Sequence, residues 1–174
     1  MNNNTSSHKA LDGTKTADNL MRAFEHEAAA AVRGSIYSKE AERSGDASTR
    51  RMLDGMYDND VSHGELWLGY LDEIEDTVEN LARLSDISKA LDNPMYSDMA
   101  RIAEEEGFHE IADKFRMAAS VKHDHADRMG ERMSDLDGSK IWDANTSFRC
   151  PVCGYTVTGN THPEVCPLCV HEWF

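Results

Sequence analysis

The chain has 174 residues, enough for one domain or for a domain with a small appended module, and its 40% of hydrophobic residues suffice for a core. The 32 acidic and 18 basic residues leave a net charge of −14, which argues against nucleic acid or an anionic membrane surface as a partner and favours one with a basic face. No apolar run approaches the roughly 20 residues that cross a bilayer, and the polar start MNNNTSSHKALDGTKT lacks the apolar stretch of a leader, so a cytoplasmic location is expected.

From Thr16 to about Met133 the chain is rich in Ala, Glu, Met, Leu and Arg and contains a single proline, Pro94. This composition predicts long helices. Breaks at RSGDAS, around EIEDTVEN and at EEEGFHE divide them into helices over 17–43, 47–75, 79–105 and 108–134. Thr16 and Asp46 are the expected N-caps, and Gly107 the expected residue just past a helix C-terminus. Pro94 lies inside the third helix, where it removes a backbone donor and crowds the preceding turn, so a kink or break is expected there. After Met133, SDLDGSKIWDANTS has turn residues and no helical period, and reads as a linker over 135–146.

The inward stripes of these helices are not dry. The first runs Leu20, Phe24, Glu27, Ala31; the second Met52, Met56, Asp60, His63, Trp67, with Ile74 further on; the fourth Ile111, Phe115, Ala118, Lys122, His125, Met129. Unpaired charges at such positions would cost several kcal/mol. They can be rotated to the flank, Lys122 can pair with Glu27 or Asp60, or the carboxylates and imidazoles can share a cation; iron, manganese and zinc suit such ligands. In a di-iron bundle two helices each give a Glu and two each give a Glu-x-x-His. Here Glu27 and the run DVSH (Asp60, His63) follow that plan, KHDH puts Lys122 where a carboxylate belongs beside His125, and the third helix offers Ser88 and Leu91 with no acid on its stripe.

The most specific signal is FRCPVCGYTVTGNTHPEVCPLC. Cys150, Cys153, Cys166 and Cys169, the only cysteines, form two Cys-x-x-Cys pairs separated by twelve residues. In a reducing compartment this spacing predicts a tetrahedral four-thiolate metal site rather than a disulfide framework, with Gly154 suited to the tight turn after the first pair. Spacing alone leaves iron and zinc open. Trp67, Trp142 and Trp173 read as packing residues, and His109, His123, His162 and His171 as surface residues.

Taken together, LDGTKTADNLMRAFEHE, MYSDMARIAEEEGFHEIADKF and RCPVCGY…PEVCPLC resemble the rubrerythrin family over nearly the whole chain. The resemblance implies a mainly α fold: a ferritin-like four-helix bundle over 16–134, then a rubredoxin-like FeS4 domain over 147–174. It moves the metal at the cysteines toward iron. It also implies a non-haem di-iron site that reduces hydrogen peroxide in oxidative stress, a homodimer, and electrons drawn from an NAD(P)H-dependent reductase or rubredoxin through the FeS4 centre, often that of a neighbouring subunit.

Carried over residue by residue, the resemblance makes Glu27 the first-helix ligand, Asp60 a shortened bridging acid, and His63 and His125 the two histidines. Ser88, Leu91 and Lys122 stand at lost-ligand positions. Tyr96 matches a tyrosine just behind the metal site, and Gly34 replaces another. The expected outcome is one residual bundle metal or none, with the Lys122 ammonium acting as a counter-ion and peroxidase activity attenuated. A non-enzymatic electron carrier or metal-binding scaffold and a zinc-ribbon interaction protein are the competing readings, with zinc an alternative in either site.

Overall fold

The computed structural model describes residues 11–136, 147–158 and 163–172. The expected mainly α class with a small C-terminal β module is what it shows: α1 (Lys15–Arg43), α2 (Ala47–Tyr70), α3 (Thr77–Ala90), a π-helical segment (Leu91–Tyr96), α4 (Ser97–Glu105), α5 (His109–Leu136), and the strands β1 (Ser147–Arg149) and β2 (Thr156–Thr158). The expected linker lies mostly outside the described residues; α5 continues as far as Leu136 before it. Trp142, His162 and Trp173 are likewise outside them.

The chain forms two compact units, 1–75 and 76–174. The first is the hairpin of α1 and α2. Its N-cap is Thr14 rather than Thr16: the Thr14 hydroxyl accepts from the Ala17 N–H at 3.2 Å, and Thr16 already lies in the first turn. Asp46 caps α2 as expected, its carboxylate accepting from Ser48 and Thr49 N–H groups at 3.2 and 3.0 Å. Gly45, at φ +79°, makes the reversal between the helices. The α2 helix ends at Tyr70, five residues before the expected limit, where the chain turns through Asp72 at φ +54°.

Contacts along the hairpin run antiparallel. Arg50 pairs with Glu42 at 2.7 Å, Ser38 donates to Asp54, Gly34 lies against Tyr57, His63 faces Glu27, and Gly64 receives the Phe24 ring. The substitution of the expected tyrosine by Gly34 has a packing reason: a Cβ there would lie 2.9 Å from the Tyr57 Cβ, closer than two carbons can sit. Buried residues on α1 are small, Ala31, Ser38 and Ala41. Met52 and Met56, expected on the dry stripe, are instead 57% and 54% exposed.

In the second unit, Asp76 caps α3 through a reciprocal capping box with Glu79. The break expected at Pro94 takes the form of the π-helical segment, a wider turn that absorbs the missing donor without ending the helix. Gly107, at φ +84°, closes α4 as expected, and α5 then returns antiparallel. Ala100, Ala103, Ala112, Val121 and Ala126 are buried where these helices meet, Ser85 Oγ lies 3.5 Å from the Ala126 carbonyl, and the Tyr96 and Phe115 rings stand 6.0 Å apart. Ile74 and Ile111, placed on inward stripes by periodicity, are about half exposed.

Gly34→Ala tests the close helix approach directly. Overpacking against Tyr57 should outweigh the roughly 1 kcal/mol gain in helix propensity and lower unfolding stability by about 1 kcal/mol net in a urea titration. A more stable variant would mean that α1 and α2 do not approach closely at this point.

Candidate metal centres

The cysteine module is built by repeating one turn. In the first knuckle, the Cys150 N–H donates to the Tyr155 carbonyl at 2.8 Å and the Gly154 N–H to the Cys150 carbonyl at 3.0 Å. In the second, the Cys166 N–H donates to the His171 carbonyl at 2.8 Å and the Val170 N–H to the Cys166 carbonyl at 2.9 Å. The antiparallel pair β1–β2, with Phe148 opposite Val157, carries the first knuckle, and a bridge between Val165 and Glu172 carries the second. His171 is half-buried, and its carbonyl is part of the turn.

These turns bring the four sulfurs together. One ligand atom from each of Cys150, Cys153, Cys166 and Cys169 lies within 4.8 Å of every other, with Sγ–Sγ separations of 3.7 Å for Cys150–Cys169 and 3.6 Å for Cys153–Cys166. A tetrahedral thiolate site with bonds of about 2.3 Å has edges of about 3.8 Å, so the residues fit the metal centre expected of them. Burial pushes the Cys153 and Cys169 thiols above the ordinary value, and a cation bound by the four sulfurs would favour the thiolate form.

The two turns differ at one backbone position. Gly154 adopts φ +77°, which glycine tolerates; its counterpart Val170 adopts φ +58°, where a β-branched side chain crowds its own backbone. Val170 is 70% exposed, so packing does not compensate the strain. Sequence reading missed this because only the first turn carries the glycine signal.

A second ligand group lies in the hairpin of α1 and α2. One oxygen of Glu27, one of Asp60 and one ring nitrogen of His63 lie within 4.8 Å of one another, with His63 Nδ1 3.5 Å from Glu27 Oε1. Their antiparallel neighbourhood explains the convergence: Asp60 and His63 are one helical turn apart on α2, and Glu27 faces them from α1. Two carboxylates and one imidazole with open positions are a fit donor set for a divalent metal such as Fe(II).

The remaining predicted residues belong to the second unit. Ser88, Lys122 and His125 line a cavity of about 460 Å³ between α3 and α5, and no carboxylate from the third-helix stripe joins them. Ser88 is buried, and Leu91 opens the π-helical segment. Asp86 is turned outward and pairs with Lys89 at 3.3 Å. Burial, reinforced by the nearby Lys122 charge, holds the His125 imidazole below its ordinary pKa. Tyr96 packs on Phe115 within the same unit.

Four contacts that sequence reading did not anticipate join the cysteine module to α5. Arg149 Nη2 lies 2.6 Å from Asp124 Oδ1, and the Lys114 ammonium donates to the Pro167 carbonyl. A Cβ placed on Gly154 would stand 3.0 Å from His125 Nε2 and 3.4 Å from Val121 Cγ1. None has a local signal, since each pair is at least 25 residues apart in the chain.

A mainly α chain with a C-terminal group of four converging cysteines, and a second group of two carboxylates and an imidazole on its helices, has the donor sets of a metal-binding protein with a rubredoxin-like module. Residues 148–172 match the family model for the rubrerythrin rubredoxin-like domain. Rubrerythrin-1 of Clostridium acetobutylicum is 30% identical over 94% of this chain and 93% of its own, and the rubrerythrin of Nitratidesulfovibrio vulgaris is 28% identical over the same shares. A fully reduced, all-ferrous nigerythrin structure aligns with 91% of this chain and 84% of its own at 23% identity and a TM-score of 0.42. The chain belongs to the rubrerythrin family. Among the described residues no helix is long and apolar enough to cross a membrane.

Two outcomes test the cysteine centre. Stripping the metal with a chelator should abolish amide protection in the two knuckles while the far-ultraviolet helix signal persists, because so short a module draws its folding energy from the metal. Val170→Gly should relieve the left-handed strain, stabilise the loaded module by about 1 kcal/mol, and raise the guanidinium concentration at which the thiolate absorption is lost.

Proposed function

We propose that this chain is a rubrerythrin-type iron protein that transfers electrons through an FeS4 centre at Cys150, Cys153, Cys166 and Cys169. The observation that carries the reading is the convergence of four cysteine sulfurs at tetrahedral spacing within the rubredoxin-like segment of a rubrerythrin-family chain. Iron bound there would supply a one-electron ferric–ferrous couple. The chain's own contribution is the pair of knuckles that converge the thiolates, the Tyr155 and His171 backbone N–H groups that donate to Cys153 and Cys169, and burial of Cys150 and Cys166 to 1% exposure, which excludes water from the centre.

The helices support one further metal rather than two. Glu27, Asp60 and His63 offer three donors, whereas three positions expected to complete a second iron hold Ser88, Leu91 and Lys122, which leaves His125 as the one ligand type among the family positions on that side. An ammonium at 122 disfavours a second cation there by charge alone. Peroxide reduction by paired iron ions would therefore be attenuated in this chain. Hydrogen peroxide remains the proposed oxidising substrate, an NAD(P)H-dependent reductase or rubredoxin the electron donor, the cytoplasm the setting, and a homodimer the assembly. Large apolar side chains left exposed on α1 and α2, among them Val32, Ile36, Met52 and Met56, support self-association.

The alternative is a carrier or scaffold whose helices do no chemistry; the loss of three ligand positions favours it. Anaerobic metal analysis with a visible spectrum and a peroxide-dependent oxidation assay separates the two. The expected result is about two Fe per chain, one in the thiolate centre and one outside it, with slow oxidation of the reduced centre by peroxide. Glu27→Ala should lower the count to about one and leave the thiolate spectrum unchanged. One iron per chain in the parent with no peroxide response would establish the carrier reading, and a colourless zinc protein would sink both.

Restoring carboxylates offers an independent check. The triple variant Ser88→Glu, Leu91→Glu, Lys122→Glu should bind more iron than the parent and oxidise faster with peroxide; unchanged iron content would mean that these three positions do not face a metal.

A further inference from the structure

The contacts between α5 and the cysteine module fall on a narrow stripe of one helix. Lys114, Val121 and His125 are spaced by seven and eleven residues, which places them on the same face, with Asp124 beside them. Each knuckle touches this stripe. Val121 and His125 meet Gly154 directly after Cys153, while Lys114 reaches Pro167 directly after Cys166. The ion pair of Arg149 with Asp124, each side chain about 30% exposed, anchors the strand that leads into Cys150.

We propose that His125 is a positioning residue of the cysteine module: its ring covers the Cys150–Cys153 knuckle, fixes that knuckle on α5 and sets its access to water. The inference rests on the reading of the module as a metal centre. Its first support is geometric. His125 Nε2 lies 3.0 Å from where a Gly154 side chain would begin, so the ring occupies the space that any other residue at 154 would need. Its second support is chemical. Lys122, one turn before His125 on the same helix and beside it in the cavity between α3 and α5, puts an ammonium where a carboxylate ligand would have to stand.

Contact with the knuckle has a redox consequence. The reduced FeS4 centre carries one more negative charge than the oxidised one, so water admitted to the sulfurs stabilises the reduced form. Removing the ring should therefore raise the midpoint potential, whereas removing a helix metal ligand would leave that potential alone and lower the iron bound outside the thiolates.

The test uses the full iron-loaded chain and two variants, His125→Ala and His125→Phe. For His125→Ala the expected results are unchanged helix content and iron per chain, at least about tenfold faster hydrogen exchange at the Gly154 and Cys150 amides, corresponding to about 1.4 kcal/mol of lost protection, and a raised midpoint potential. His125→Phe, which restores a ring without a nitrogen, should recover most of the exchange protection. Unchanged exchange and potential in His125→Ala would overturn the proposal, as would loss of iron from outside the thiolate centre. Exchange can be repeated on zinc-loaded protein, so a chain that carries zinc would refute the redox reading while still deciding whether His125 seats the knuckle.

Discussion

Convergence of four sulfurs is the constraint on which the C-terminal part of this protein depends. Among its described residues the module has two short strands, one isolated bridge and almost no apolar interior, and the most deeply buried side chains are Cys150 and Cys166. So short a segment cannot offset its conformational entropy by hydrophobic burial. A cation that binds four thiolates can, and it also overcomes the burial that raises the thiol pKa values. The repeated turn follows from the same demand, since each Cys-x-x-Cys pair must present both sulfurs inward and point N–H groups at them. That demand is strong enough to hold Val170 in a backbone conformation that valine disfavours.

The α5 helix serves two neighbours at once. One flank packs small residues against α3 and α4, where Ala112 and Ala126 permit close approach. An adjoining stripe holds the cysteine module through an ion pair, a lysine-to-carbonyl hydrogen bond and the His125–Gly154 contact. The π-helical segment at Leu91–Tyr96 belongs to this arrangement, because it lets the chain pass Pro94 and continue into α4 without losing the packing of Tyr96 on Phe115.

The polar residues of the helices are divided in a chemically consistent way. Acids and a histidine gather in the hairpin of α1 and α2, where the donor set suits a divalent cation. Lys122, His125 and Ser88 lie together in the second unit, where an ammonium and a hydroxyl replace carboxylates. Among the described residues, four cysteines converge in one group of possible ligands and Glu27, Asp60 and His63 in another.

What the sequence determined by itself is what short stretches of chain can encode. Two Cys-x-x-Cys pairs specify a four-thiolate site because their ligands are placed by local turns. Asp46 and Gly107 mark helix ends because capping is satisfied within a few residues, and one-turn spacing already put Asp60 and His63 on the same face. Composition and periodicity likewise sufficed for a mainly α chain. Periodicity could not decide which apolar positions are dry: Met52, Met56 and Ile111 repeat as core residues do, yet burial depends on what covers them. Nor could it reveal that Gly34 accommodates Tyr57, that Glu27 reaches His63 from the opposite helix, or that Gly154 leaves room for His125. Those are encounters between residues about 23 to 36 positions apart, fixed by how helices and turns pack and not by the order of neighbours along the chain. Tertiary structure alone decided them.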